Sequence, residues 1–403
     1  MNPATSAIRL KNERDIIDYV ISNGEASRVT LAAALGLSTP TVANIVSDLI
    51  EKNLLFEARR EKSVAGRRTA LLQFNGDLHY VLTVEIAMGL VVSVCNLIGD
   101  RLVSETIPCE LKITETCSAA QVMKNIASSL SDFLQRQPEE LQQRIKMIGL
   151  CPHGMVNSES TVDSILLNWR NFNLAKALEA RMQIPVFIEG ITRVLALYEM
   201  RHTSSLEKNI LYLNISAGIG MVQFFDRKMV MGKTGIAGEI GHMTLDIRGP
   251  RCYCGNRGCF EYYCGMEYVK QRAQELLSEE NKSDPFYHMA VVQKRPVTLD
   301  LLLEAQQEGS LIVHELLKSV AEYLGAALAT LYNAYDPDRI IIAMEHNSER
   351  NFLLESAKAE ARSRVVNQFT RELNITEAHL KISELHRAIS TFALKKYLDT
   401  LYG

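Results

Sequence analysis

The chain has 403 residues, of which 47% are hydrophobic and 23% charged, with a formal net charge of −3. That length gives two or three domains, each able to bury its own core, and the ordinary composition excludes fibrous, collagen-like and wholly disordered chains. Uncharged stretches such as 212–225 fall short of the about 20 apolar residues that span a bilayer, and charges in MNPATSAIRLKNERDII precede any leader-like apolar run, so a cytoplasmic chain is expected, with its eight cysteines as thiols or metal ligands.

Residues 1–75 carry a net positive charge and the remainder a net negative one, an asymmetry that points to a front module facing phosphates. Ile16, Ile17, Val20 and Ile21 predict a helix over 12–22, stopped by Asn23-Gly24. Ser27 caps a second helix through Leu31, Ala34 and Leu35; Gly36 breaks it, and Ser38 with Pro40 starts a third. In the third helix the stripe Val42, Ile45, Val46, Leu49 and Ile50 turns Thr39, Thr41, Asn44 and Ser47 outward. A helix that enters a major groove needs short polar side chains near its start, so Ser38, Thr39, Thr41 and Asn44 are candidate DNA-binding residues. Residues 54–74 then predict two strands around a basic tip with Arg59, Arg60, Lys62, Arg67 and Arg68, hinged at Gly66. Such a wing places cations, Arg67 and Arg68 foremost, against backbone phosphates or in a minor groove. The alternative is a small helical domain with a solvated charged hairpin.

From about residue 80 the period changes to two: strands are predicted over 80–86, 90–97 and 101–107, a helix over 119–134 and a strand over 146–152. Helix 174–182, strand 185–188 and helix 192–201 complete a β-rich, then β-α-β-α unit. The order begins again with strands over 209–215, 218–225 and 228–231, followed by helical stretches, a long helix over 311–332 and a strand over 339–343. Two alike halves imply two α/β lobes with a ligand cleft between them.

The sharpest local signal is Gly238-Glu239-Ile240-Gly241-His242 followed by Cys252-Tyr253-Cys254-Gly255-Asn256-Arg257-Gly258-Cys259-Phe260-Glu261. One imidazole and three thiolates suit a closed tetrahedral site, so His242, Cys252, Cys254 and Cys259 are candidate ligands of structural zinc, with Gly255 and Gly258 letting the chain wrap between them. Free buried thiols are the alternative. Cys95, Cys109, Cys117, Cys151 and Cys264 stand alone and are expected as small core residues.

These motifs resemble the signature of the ROK family, which contains sugar kinases and winged-helix sugar-responsive repressors, and the front module selects the repressor branch. The resemblance implies an α/β fold of two actin-like, ribonuclease H-like lobes behind an α+β winged helix-turn-helix. It implies divisions at 1–78 for the DNA-binding domain with its wing and linker, 79–200 plus 388–403 for the first lobe, and 201–387 for the second lobe with its zinc loop. It also implies that Glu239, His242 and Glu261 bind sugar hydroxyls; the alternative is that the two glutamates only support the zinc loop.

The kinase loops of the family are degraded. Glu85-Ile86-Ala87-Met88-Gly89 stands for its first phosphate loop and Ser216-Ala217-Gly218-Ile219-Gly220-Met221-Val222 for its second, and side chains in place of glycine obstruct close approach to phosphate. Ala343-Met344-Glu345 replaces a Gly-Gly turn, with Met344 and Glu345 expected to fill the nucleotide side. After strand 185–188, Glu189 is followed by Gly190-Ile191-Thr192-Arg193 where family kinases have Asn-Asp, and isoleucine accepts no proton. Arg193 is expected at the surface in a salt bridge, with contact to an anionic ligand as the alternative, and Trp169 either fills core or flanks the pocket. No catalytic residue is assigned. The expected protein is a non-enzymatic regulator of carbohydrate uptake or catabolic genes, holding Zn2+, a sugar or sugar derivative and palindromic double-stranded DNA, as a homodimer or dimer of dimers. The alternatives are an active sugar kinase with a DNA-binding front end, and a regulator controlled by a partner protein.

Overall fold

The computed structural model describes residues 3–62, 68–87, 89–204, 206–346, 351–366 and 372–402. Arg67, Gly66 and Met88 lie outside the described residues, as do the side chains of Arg60, Lys62 and Arg68. The chain divides into two compact units, residues 1–202 with 385–403, and residues 203–384.

The first unit opens with α1 (Pro3–Asn23), which begins well before the predicted 12–22 because nothing in its first turns breaks a helix. β1 (Ala26–Ser27) leads into α2 (Arg28–Leu35), whose first turn is capped by the Ser27 side chain accepting from Thr30 N–H. Gly36 ends α2 at φ +65°, a left-handed conformation that glycine adopts without Cβ strain. The chain turns by 120° into α3 (Thr39–Glu51), capped by Ser38 and started by a first-turn proline, the angle typical of a helix-turn-helix. β2 (Leu55–Lys62) and β3 (Arg68–Phe74) form the antiparallel wing, with β1 on the far edge of β3.

A five-stranded sheet follows. β4 (Tyr80–Ile86), β5 (Leu90–Asn96) and β6 (Arg101–Ile107) make the predicted meander. After α4 (Ala119–Gln135) and α5 (Glu139–Arg144), β7 (Ile145–Pro152) pairs parallel to β4. A small sheet of β8 (Met155–Val156), β9 (Val162–Ser164) and β10 (Trp169–Phe172) interrupts before α6 (Leu174–Met182), β11 (Val186–Ile188) and α7 (Ile191–Glu199). These three strands are too short for a period to show in the sequence. Trp169 fills core: it is 1% exposed, and its indole N–H donates to the Leu111 carbonyl at 2.7 Å. Cys95, Cys117 and Cys151 are buried and Cys109 half-buried.

The second unit repeats the plan. β12 (Ile210–Ile215), β13 (Ile219–Phe225) and β14 (Lys228–Met229) form a meander. Then come α8 (Phe260–Cys264), α9 (Met266–Glu275), the single turn α10 (Pro285–Tyr287), α11 (Leu299–Gln307), α12 (Leu311–Tyr335), β15 (Arg339–Met344), α13 (Phe352–Arg364) and β16 (Ile375–Glu377). Both five-stranded sheets run third, second, first, fourth, fifth strand, with the fourth parallel to the first. This is a duplicated α/β architecture. Met344 departs from expectation: it is buried in the core of this unit, because its place on β15 turns it inward, while Glu345 is exposed.

The chain returns to the first unit with α14 (Leu385–Tyr402), which packs between the winged module and the first sheet. Leu394 and Leu398 share one core with Ile16 and Leu55 of the module and Val81, Leu97 and Met147 of the lobe. The Arg14 guanidinium on α1 pairs with Asp399 at 3.2 Å and with Asp18 at 2.7 Å. Among the described residues no single helix is long and apolar enough to cross a membrane. The close seat of α14 depends on Gly149 of β7, where a Cβ would stand 2.5 Å from Ile389 Cγ2 and 3.2 Å from its carbonyl oxygen. Gly149→Ala should therefore lower stability by about 1–3 kcal/mol in urea unfolding through overpacking; an unchanged midpoint would show that α14 gives way freely.

Candidate functional site

The segment between β14 and α8 has little regular structure, so side chains must hold it. A 3₁₀ turn over Ile240–His242 presents the imidazole, and Thr244↔Cys259 and Arg251↔Arg257 bridges fold the loop back on itself. Gly258 sits at φ +59°, where a Cβ would come within 1.7 Å of the Asp246 carbonyl oxygen, so no other residue fits. The Asn256 side chain donates to the His242 carbonyl at 3.1 Å and to Thr244 Oγ1 at 3.0 Å.

This folding brings the ligand atoms of His242, Cys252, Cys254 and Cys259 within 4.8 Å of one another. Cys252 Sγ lies 3.8 Å from His242 Nδ1, and Cys254 Sγ lies 3.7 Å from Cys259 Sγ. A tetrahedron with metal–sulfur bonds of about 2.3 Å and a metal–nitrogen bond of about 2.0 Å has edges of roughly 3.5–3.8 Å, so the donor set fits a four-coordinate soft cation. Without one, burial and the neighbouring thiols push the Cys259 thiol up to about 12, and burial raises Cys252 as well. The Tyr253 hydroxyl lies 3.5 Å from His242 Nε2, its ring edge-on to the imidazole at 5.3 Å. That contact leaves Nδ1 to face the thiols and orients the ring from behind. Sequence reading missed Tyr253, whose position between two cysteines gave no sign of its direction.

The two candidate glutamates part company. Glu239 is exposed at the start of the 3₁₀ turn. Glu261, on α8, is 4% exposed, and its Oε2 accepts the Ile219 N–H at 2.8 Å. A Cβ on Gly218 would stand 2.7 Å from that oxygen, and one on Gly241 3.1 Å from it. The glycine kept in the degraded second phosphate loop thus makes room for a carboxylate of the chain itself. Glu261→Ala should orphan the buried Ile219 N–H and cost about 1–3 kcal/mol in chemical unfolding, with Glu261→Gln costing less; full stability in both variants would show that the carboxylate does not support this turn.

In the first unit, Glu189 follows β11 at the carboxyl ends of parallel strands β4 and β7, the usual ligand edge of an open α/β sheet. Gly190 and Ile191 offer no polar side chain there. Arg193 is not a surface residue: its side chain is 11% and that of Glu189 12% exposed, and Nε meets Oε1 at 2.6 Å. The first turn of α7 folds the guanidinium back onto the strand end, where it also donates to the Val156 carbonyl. The i, i+4 spacing of Glu189 and Arg193 was the signal for this pair. Burial, then Glu189 and Glu85, push the adjacent Cys151 thiol well up.

On α3, Ser38, Thr39 and Asn44 are exposed and Thr41 half-buried. The Ser38 and Thr41 hydroxyls lie 2.7 Å apart, and Ser38 Oγ also accepts the Thr41 N–H, so this pair caps the helix while Thr39 and Asn44 remain the outward polar groups. At the base of the wing Arg59 pairs with Glu25 at 2.5 Å and Arg28 with Glu57 at 2.9 Å. Arg68 opens β3.

A ROK family model matches residues 103–387, and a winged helix-turn-helix DNA-binding model matches residues 9–55. The xylose repressor of Bacillus spizizenii is 26% identical over 396 residues, covering 97% of this chain and 97% of its own. The DNA-binding transcriptional dual regulator NagC of Escherichia coli is 24% identical over 394 residues, covering 96% of this chain and 93% of its own. A solved ROK family transcriptional regulator, described as a homolog of the E. coli MLC protein, superposes with a TM-score of 0.77 at 23% identity, over 98% of this chain and 99% of its own. A ROK family glucokinase from Streptomyces griseus, in complex with glucose and AMPPNP, gives 0.65 at 19% identity, over 78% of this chain and 99% of its own. With a winged helix-turn-helix at its front and a duplicated α/β body behind, the chain belongs to the ROK family.

Proposed function

We propose that this protein is a transcriptional repressor of carbohydrate genes, binding a palindromic operator as a homodimer through its winged modules and responding to a sugar or sugar derivative. The observation that carries the reading is the coexistence, in one chain, of an outward polar helix start with a ROK body whose strand-end site holds Gly190 and Ile191 where the family's kinases place their proton acceptor. General-base help is worth about 10²- to 10⁴-fold in rate. The similarity to chains named as repressors over nearly their whole length supports the same conclusion. A coupled assay with ATP across hexoses, pentoses and amino sugars should find no sugar-dependent ADP release above background; release at ordinary enzyme rates would overturn the assignment in favour of a kinase with a DNA-binding front end.

For DNA contact, the outward position of Asn44 supports base reading and the wing position of Arg68 supports phosphate contact. In binding measurements on selected operator fragments, Asn44→Ala should mainly blur sequence preference. Arg68→Ala should weaken binding to all sequences and reduce the logarithmic salt slope by about one. Equal effects of the two changes on preference and slope would contradict this division of labour.

The cation read into the His242, Cys252, Cys254 and Cys259 set is structural zinc, because the four protein donors leave no coordination position for a reacting water. Metal analysis should find about one zinc per chain, and Cys259→Ser should lose it. The thiols must give up protons to bind it, so zinc affinity should rise with pH and fall as acid re-protonates them. Zinc content indifferent to both Cys259→Ser and acid would remove the site.

A further inference from the structure

The loop that gathers the four donors also carries three cations that find no counter-charge within it. Arg248, Arg251 and Arg257 are all exposed, and among the described residues none of their guanidinium groups meets a carboxylate. Asp246, the one acid between residues 243 and 260, is engaged elsewhere: its Oδ1 accepts the Arg248 N–H at 2.8 Å and its Oδ2 the Tyr263 hydroxyl at 3.3 Å. Glu261, the next acid along, turns its Oε2 to the Ile219 N–H. A zinc-filled set of three thiolates and one imidazole would carry one net negative charge, so the loop stays net positive even then.

Two of these arginines are held side by side. Arg251 and Arg257 oppose each other across an antiparallel bridge. The flanking bonds run from the Cys252 N–H to the Asn256 carbonyl at 2.8 Å and from the Gly258 N–H to the Pro250 carbonyl at 2.9 Å, so the bridge is closed by the neighbours of both arginines. That pattern is a non-hydrogen-bonded pair, whose Cα atoms approach to about 4.5 Å and whose side chains leave the same face closer together than in a hydrogen-bonded pair. Like charges placed there repel. Cys252 and Cys254 lie inside the hairpin and Cys259 two residues past Arg257, so the convergence of the donors also sets the backbone from which both side chains rise. Two guanidinium forks kept together with no acid between them are preorganised for an anion from outside.

We propose that Arg251 and Arg257 form a binding site for a doubly charged oxyanion of the phosphate type on a small molecule, one fork meeting each side of the group, with Arg248 adding to the local positive potential. The site makes no use of the strand-end residues or the wing, so its failure would leave the repressor reading standing.

Titration calorimetry on the full-length protein at constant ionic strength and pH 7.5 tests it, with inorganic phosphate as the doubly charged probe and acetate as the singly charged control. Wild-type protein should bind phosphate at least tenfold more tightly than acetate, a comparison that needs no variant to fold. Arg251→Gln and Arg257→Gln should each weaken phosphate at least fivefold, and Arg251→Lys, which keeps charge but not the fork, should fall between. Without phosphate both Gln variants should unfold in urea at the wild-type midpoint or slightly above it, since a repulsion is gone, and added phosphate should raise the wild-type midpoint more than theirs. Phosphate bound no better than acetate, or bound equally by wild type and the double Gln variant, overturns the site. So does a logarithmic salt slope of operator binding reduced by about two in the double variant, which would give the pair to duplex phosphates.

Discussion

Four soft donors crowded within 4.8 Å are the constraint on which the second unit's functional surface depends. Between β14 and α8 the backbone makes few ladder hydrogen bonds, and its course is set by glycines at positive φ and by the convergence of His242, Cys252, Cys254 and Cys259. A cation held by them would tie four side chains from an 18-residue span into a rigid clip. Glu261 follows Cys259 by two residues, so the loop that gathers the donors also leads directly to the carboxylate that accepts the Ile219 amide. Donor loop, carboxylate and hairpin turn are joined along one stretch of chain.

The same economy of parts shows in the scaffold that the chain shares with its family. The sheets, their strand order and their parallel pairs need only buried β-branched and aliphatic residues, and those are intact. What has changed lies at the strand ends, where nucleotide and sugar would meet the backbone. There Gly218 accommodates the chain's own carboxylate, and the Arg193 guanidinium lies against Glu189. In both places a charged group at a strand end is engaged by the chain itself.

The winged module is not a loosely tethered head. Its core is continuous with the first lobe through α14, whose apolar face touches both, and Arg14 ties α1 to the end of that helix. A strain at the first sheet therefore has a packed route to α3, because close-packed cores transmit displacement instead of absorbing it. α7, which begins beside the Glu189–Arg193 pair, packs along α14 within the same unit.

Much of this was legible in the residues themselves. Local signals are complete where one element carries its own code: the Ser27 and Ser38 caps, the Gly36 break, the period-two strands and the Cys-x-Cys-Gly-x-x-Gly-Cys spacing all specify their geometry within a few residues, and the structure shows each of them. The repeated succession of strands and helices was likewise readable, since alternation and helix periodicity survive in both halves, whereas the order of strands within each sheet came from the tertiary structure. Tertiary structure alone decided which way ambiguous side chains turn. Met344 faces the core although it was expected at a ligand edge, Trp169 is buried although it could have lined a pocket, and Arg193 is folded onto Glu189 although an exposed first helical turn would suit it equally. Spacing along a chain fixes which residues share a face, but the direction of a long side chain at a strand end depends on what distant segments offer there, here the carbonyl of Val156.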